Sequence, residues 1–181
     1  HFYELWALWA SNNNDFWREA ADESRKFLKK AVHPETGLVP DYARFDGAPY
    51  DPWGGGNNNF QYDAWRVGMN VAVDYEWFAK DDWAVFQSNR LLRFFKSEGI
   101  TNYVGLYTLD GKKISTFQNP GLTAMNAVAA LAATIDERKE FVEQLWNMPI
   151  PSGDGRYYDG LLTMLALLQV SGNFRIYSPV N

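Results

Sequence analysis

The sequence predicts an all-α fold, about half of an (α/α) toroid in which inner and outer helices alternate. Three observations predict it. Segments that are apolar nearly all round alternate with segments carrying a single apolar stripe, so buried helices alternate with half-exposed ones. The breaks from a buried segment to the next striped one are short, whereas the returns are long and often rich in glycine and proline, as at 33–61, 98–119 and 148–156. Every inner helix therefore starts on one face, and the long loops collect there, where a cleft belongs. Lastly, about seven helical segments make only about three and a half hairpins, too few to close a ring.

Taken in order, Phe2–Ala10 is a short helix, apolar nearly all round, ended by Ser11-Asn12-Asn13-Asn14. Asp15–Val32 is amphipathic: Phe16, Trp17, Ala20, Phe27, Leu28 and Ala31 form one stripe, and Arg18, Glu19, Glu23, Lys26 and Lys30 cover the rest. Tyr62–Ala79 is apolar again, with Val67, Met69, Val71, Val73 and Trp77, and Lys80-Asp81 separates it from the amphipathic Asp82–Ser97. Within the second long connection, Tyr103–Ile114 reads as a β-hairpin turning at Asp110-Gly111. Pro120–Ile135 is dense in alanine, as close packing inside requires, and Asp136–Asn147 is charged and amphipathic. Tyr157–Val170 is apolar, with Leu161, Leu162, Met164, Leu165 and Leu168, and Phe174–Tyr177 is a short extended tail. Trp6, Trp9, Trp17, Trp77, Trp83 and Trp146 fall at helical core spacing and are expected in the core, while Tyr103, Tyr107 and Phe117 are expected to pack within their loop. The chain opens on an uncapped apolar helix, which reads as entry in mid-domain, so residues 1–181 are expected to form one partial domain. A half-ring is expected to leave the apolar faces of 2–10 and 161–170 uncovered.

Aromatic residues make up 17% of the 181, with eight Trp, ten Tyr and twelve Phe, enough for both a thick core and a sugar-stacking cleft. A net charge of −5 without acidic or basic blocks argues against nucleic acid or an anionic membrane as partner. No apolar run is long enough to span a bilayer. The absence of cysteine excludes disulfides and thiol catalysis. His1 and His33 are too few for a zinc site, so neither metal nor cofactor is expected.

The stretch Trp53–Val67 organises the rest. Gly54–Asn59 is a glycine and asparagine loop with almost no conformational preference, and it turns abruptly into the first turn of a long apolar helix at Phe60–Arg66. Asp63 and Arg66 are three apart, so they share a helix face and can pair. A carboxylate in a first turn also gains roughly 0.3–1 kcal/mol from the helix dipole. Both effects hold Asp63 ionised, the state a general base needs. Phe60, Tyr62 and Trp65 supply flat apolar surface of the kind that stacks on sugar rings, and Trp53 and Tyr50 in the preceding loop are expected either to line sugar subsites or to pack on their own loop. The plainer reading of Asp63 and Arg66 is a helix-start carboxylate in a structural ion pair. What favours chemistry is that Asp63 and Tyr157-Tyr158 all fall at starts of inner helices, on the loop face.

The segment Phe60-Gln-Tyr-Asp-Ala-Trp-Arg-Val67 resembles the Tyr-Asp-x-x-Arg motif of glycoside hydrolase family 8, inverting enzymes built on an (α/α)6 barrel. Phe2-Tyr-Glu-Leu-Trp-Ala7 agrees with it, as does Arg156-Tyr-Tyr-Asp-Gly-Leu-Leu162 followed by Ser171-Gly-Asn-Phe-Arg-Ile-Tyr177. The last pair is most similar to the xylan-active branch, especially the exo-oligoxylanases that release xylose from the reducing end. The resemblance covers essentially the whole chain and corresponds to the C-terminal half of the family's domain. It implies that Asp63 is the general base, Arg66 the arginine that orients it and Tyr62 its neighbour at the catalytic subsite. Tyr158 and Tyr157 would then lie near the attacking water and the substrate.

Inversion also needs a protonated carboxyl about 6.5–9.5 Å from the base. The resemblance puts that acid in the N-terminal half, and Glu4, Glu35, Glu76 and Glu98 are all poorly placed to replace it. The implied substrate is a xylo-oligosaccharide or xylan, the implied partner is the other half of the same domain, and this piece alone is expected to be inactive. Exo against endo action stays open, with Met148–Arg156 as a candidate blocking loop. Exo action would imply a cytoplasmic protein and endo action a secreted one. Two rivals stand beside this reading. One is a helical toroid that binds glycan or protein without catalysis. The other is a different (α/α)-barrel enzyme, such as a polysaccharide lyase, whose uronate substrates want more basic residues than the loop face carries.

Overall fold

The computed structural model describes residues 1–177. The helices run in the order α1 (Phe2–Trp9), α2 (Asn14–Ala31), α3 (Trp65–Phe78), α4 (Trp83–Glu98), α5 (Pro120–Ala129), α6 (Arg138–Asn147) and α7 (Arg156–Val170), with a 3-10 turn at Tyr62–Ala64 ahead of α3.

The alternating apolar character becomes an alternation of layers. α5 packs on both α3 and α7 to form an inner row, with α4 behind α3, α6 behind α5, and α1 paired with α2. Small side chains allow the close approach: Ala124, Ala127 and Ala129 of α5 are fully buried, and a methyl group added at Gly68 of α3 would lie 3.1 Å from Leu91 and 3.5 Å from Ala129. Leu92 and Phe95 of α4 and Phe141 and Leu145 of α6 close the core from outside. Each such side chain contributes roughly 1.5–3 kcal/mol by burial.

Two local elements differ from the sequence reading. α5 stops at Ala129 rather than running on to Ile135. Asn89 on α4 takes the backbone N–H groups of Thr134 and Ile135 on its Oδ1 at 2.7 and 3.2 Å, so these donors need no helix. The expected β-hairpin is reduced to isolated bridges. Its turn is present, with Thr108 N on Lys112 O and Ile114 N on Leu106 O. Tyr107, however, also exchanges two backbone bonds with Phe60, at 2.9 and 3.1 Å, so the pairing is divided between two neighbours. Tyr103 and Tyr107 are fully buried in this loop, and the Tyr103 hydroxyl bonds Gln144 of α6 at 2.7 Å. Phe117, expected to pack beside them, is exposed.

The α1–α2 hairpin meets the rest largely through charge. Arg25 forks onto Asp74 of α3 with two bonds of 2.8 Å and reaches Glu4 of α1 at 2.8 Å, while Lys80 takes the other Glu4 oxygen at 2.7 Å. Glu4 is only 2% exposed. Burial opposes its charge, but the bonds from Lys80 and Arg25 outweigh that and hold the carboxyl below its usual range. Next to this network lies a cavity of ≈ 500 Å³ lined by Phe2, Tyr3, Trp6, Phe27 and Trp83.

Trp6, Trp9 and Trp146 are exposed rather than in the core. Periodicity gives the apolar side of a helix but not whether a neighbour covers it, and among the described residues none covers the outer side of α1. Trp146 follows Leu145 by about 100° around α6 and so turns away from the buried Phe141–Leu145 side. Leu161, Met164 and Leu168 of α7 are likewise exposed, so the two faces expected to be bare in a half-ring are bare. Among the described residues no helix is long and apolar enough to cross a membrane.

Candidate active site

The starts of α3, α5 and α7 converge on the loop side. Gly121 N–H at the start of α5 bonds Asp159 Oδ1 in the first turn of α7 at 3.2 Å. Trp65, the first residue of α3, buries its ring and donates Nε1–H to Gly105 O at 3.0 Å. Phe60 is anchored by its pairing with Tyr107. The chain must therefore change from extended to helical between Phe60 and Trp65, and it does so through the 3-10 turn with Tyr62 at φ +33°. Such a backbone costs on the order of 1 kcal/mol or more for a residue with a side chain, so its surroundings must hold it in place.

They do so through bonds on both sides of the turn. Tyr158 in the first turn of α7 donates its hydroxyl to Tyr62 O at 3.0 Å. Burial pushes that hydroxyl up to about 12, so Tyr158 remains a donor throughout the neutral range. The N–H of Asp63 is accepted by Asp41 Oδ1 at 3.0 Å, and Asp41 Oδ2 accepts Asn57 Nδ2 at 3.0 Å and Gln61 Nε2 at 3.3 Å. Within the turn, Arg66 Nη2 pairs with Asp63 Oδ1 at 2.5 Å, and the two side chains are 41% and 51% exposed. An ion pair this open contributes at most about 1 kcal/mol to stability. Its consequence is orientation: the carboxylate is aimed, and water reaches it.

The loop before this turn is not featureless, contrary to the sequence reading. Asp51 accepts the N–H groups of Gly55 and Gly56 at 3.0 and 2.9 Å, and Asn59 bonds Gly56 O at 3.0 Å. The Gly56 amide first of all holds the Asp51 carboxyl below its usual range. Gly54 and Gly56 sit at φ +71° and +80°, a conformation that only glycine adopts cheaply. Trp53 on this loop is 71% exposed and lies edge-on to Tyr42 at 5.1 Å.

Of the residues singled out from the sequence, the structure brings together Tyr62, Asp63, Arg66 and Tyr158. Tyr157 is 78% exposed beside them, and Trp53 rests against Tyr42 instead. Arg156 bonds Gly153 O at 2.8 Å in its own loop, which leaves Asp159 to Gly121; burial raises the Asp159 carboxyl above its usual range, against the effect of the Gly121 N–H. Glu4 is engaged by Arg25 and Lys80, and Glu98 by Lys113 at 3.0 Å. The sequence reading missed Asp41. A lone Asp after a proline in a long loop carries no periodicity. The backbone bonds of Asp41 N to Asn59 O and Tyr42 N to Asn57 O, both 2.8 Å, bring it to the turn.

The sequence pattern described as "Glycosyl hydrolases family 8" matches residues 2–172. The chain belongs to this family. Among family 8 relatives, the reducing-end xylose-releasing exo-oligoxylanase of Paenibacillus barcinonensis is 44% identical over 98% of this chain and 47% of its own length. Endoglucanase A of Acetivibrio thermocellus is 30% identical over 96% of this chain and 35% of its own length. Among solved structures, the xylose complex of the Paenibacillus enzyme superposes with a TM-score of 0.92 at 43% identity, covering 99% of this chain and 48% of that one. A family 8 xylobiose complex from Teredinibacter turnerae gives 0.91 at 45% identity, covering 96% and 45%. The helical layers are thus those of the family 8 (α/α)6 barrel over this stretch. The chain spans about half the length of the curated relatives it matches.

Proposed function

We propose that the chain supplies the general-base side of an inverting hydrolase of β-1,4-linked xylo-oligosaccharides that releases xylose from the reducing end. The observation that carries this reading is the Asp63–Arg66 pair, held open to water in the turn that starts α3 on the loop side. Asp63 takes a proton from the water attacking the anomeric carbon, and Arg66 fixes the carboxylate that receives it. Tyr62 flanks the same subsite, with a half-exposed ring 5.6 Å from that of Trp65. Tyr158 and the exposed Tyr157 complete the sugar-facing set, and Trp53, held against Tyr42 on the preceding loop, offers a separate exposed ring for stacking. The protonated acid on the other side of the bond comes from the half of the family domain that this chain does not span, so the chain by itself does not turn over substrate.

Identity of 44% to a reducing-end xylose-releasing exo-oligoxylanase supports the exo reading over the endo one. Two measurements test the proposal in the complete family 8 domain carrying this chain. Asp63→Asn should lower turnover at least ~10²-fold, the scale of a lost general base, while binding of xylobiose persists. Near-normal turnover would remove Asp63 from the mechanism. Xylotriose should yield xylose and xylobiose, with polymeric xylan poorly cut; rapid shortening of the polymer would instead favour the endo reading.

A further inference from the structure

We infer that Asp41 is a positioning residue which, together with Tyr158, pins the single peptide unit between Tyr62 and Asp63 and thereby sets the direction of the base. This inference rests on the assignment of Asp63 as that base. The Tyr62 carbonyl and the Asp63 N–H belong to one peptide plane. The carbonyl receives the Tyr158 hydroxyl at 3.0 Å, and the N–H is given to Asp41 Oδ1 at 3.0 Å. The plane is therefore held at both polar ends by side chains from two distant parts of the chain, the first long connection and the first turn of α7.

The arrangement is not an ordinary helix cap. A capping side chain sits at the residue just before the helix and bonds donors two or three places on, whereas Asp41 reaches Asp63 from 22 residues upstream. Asp41 is itself fixed. Its second oxygen accepts Asn57 and Gln61, and its own N–H bonds Asn59 O at 2.8 Å. The peptide that it holds follows Tyr62 at φ +33°, so the turn has a lower-energy backbone to relax to once either bond is lost. Rotation of the plane carries the Asp63 Cα and carboxylate with it. A displacement of about 1 Å at a reacting group costs on the order of 10²-fold in rate. Asp41 needs no contact with the sugar to have this effect, so its loss should appear in turnover rather than in binding.

The test uses the complete family 8 domain carrying this chain, with xylotriose as substrate, kcat and KM measured separately, and Asp63→Asn as reference. Asp41→Ala should lower kcat about 10- to 100-fold with KM changed by less than about threefold. Asp41→Asn keeps an oxygen for the Asp63 N–H, and the Asn57 and Gln61 amides can turn over to meet its new amide, so it should recover most of that loss. Tyr158→Phe removes one hydroxyl and no packing, and should also lower kcat. Because both changes free the same peptide, Asp41→Ala combined with Tyr158→Phe should lose less than the product of the two single losses. A kcat unchanged in Asp41→Ala while Asp63→Asn is inactive overturns the clamp, and so does Asp41→Asn as damaging as Asp41→Ala. If Asp41→Ala does not fold, an unchanged kcat in Tyr158→Phe overturns it equally. An active Asp63→Asn is a different result, which removes the base assignment itself.

Discussion

Gly121 occupies the point where α3, α5 and α7 begin, and substitution by alanine probes that junction. A Cβ at this position would fall 2.7 Å from Asp159 Oδ1, 2.9 Å from Leu162 Cδ1 and 3.2 Å from Trp65 Cζ3. Carbon atoms rest at about 3.5–4.0 Å, so Leu162 would have to retreat by roughly 0.6–1 Å. Trp65 is tied to Gly105 and cannot yield, and Asp159 can swing aside only by releasing the Gly121 N–H. Overpacking costs about 1–3 kcal/mol and the lost bond about 1 kcal/mol. The gain from replacing a helical glycine, about 0.5–1 kcal/mol, offsets part of this. Gly121→Ala should therefore destabilise the fold by about 1–3 kcal/mol, lowering Tm by roughly 3–10 °C for a chain of this size. Gly160 of α7 provides the control, since its Cβ would meet no atom within 4 Å, and Gly160→Ala should be neutral or stabilising. Thermal melts of the two variants run in parallel decide the matter: a Gly121→Ala protein melting no lower than Gly160→Ala refutes the wedge.

Further tests address the charges. Arg25→Met leaves Glu4 and Asp74 without their shared partner and should cost about 3–5 kcal/mol, the usual scale for breaking a buried pair. Amide hydrogen exchange should then rise in α1 and α2 while α5 keeps its protection; a uniform rise would contradict docking of the hairpin through this network. Glu4 has a lowered folded-state pKa, so its contribution is present above the unfolded glutamate value and is lost as pH falls through the lowered one. Docking of the hairpin should accordingly weaken only on acidification below about pH 4. Asp159 has the opposite sign: its folded pKa is raised, so its contribution is present below the unfolded aspartate value and is lost as pH rises through the raised one. Asp159→Asn keeps the acceptor for Gly121, so its melting temperature relative to the parent should climb from acid to neutral pH, and a difference independent of pH would contradict the burial of this carboxyl.

What was legible in the sequence is what a short stretch of chain determines by itself. The stripe of Trp17, Ala20, Phe27 and Leu28 marked α2 as an outer helix, although Phe16 at its start is exposed, and the alanines from Ala124 to Ala130 marked α5 as an inner one, because burial follows the helical period. The three-residue spacing of Asp63 and Arg66 gave their pairing directly. What could not be read depends on where remote segments meet. Asp41 reaches the Asp63 turn only because residues 41–42 pair with 57–59. Asp159 serves Gly121 because α7 starts against α5. Asn89 shortens α5 from a neighbouring helix. The left-handed backbone of Tyr62 has no marker in a tyrosine, since only its two anchored neighbours, Phe60 and Trp65, require it. The glycines of 54–56 were misread as freedom when two of them meet the positive φ of a loop folded around Asp51.

That Asp63 draws a proton from water, rather than attacking the sugar itself, is tested most directly by the configuration of the newly released reducing end. Proton NMR of the complete domain cleaving xylotriose, recorded before mutarotation, should show the new xylobiose reducing end appearing first as the α-anomer and as the β-anomer only as equilibrium is approached, while the leaving xylose keeps the configuration it had as the substrate's reducing end. A β-anomer that appears first would mean two displacements through a covalent intermediate, and would contradict the role assigned to Asp63.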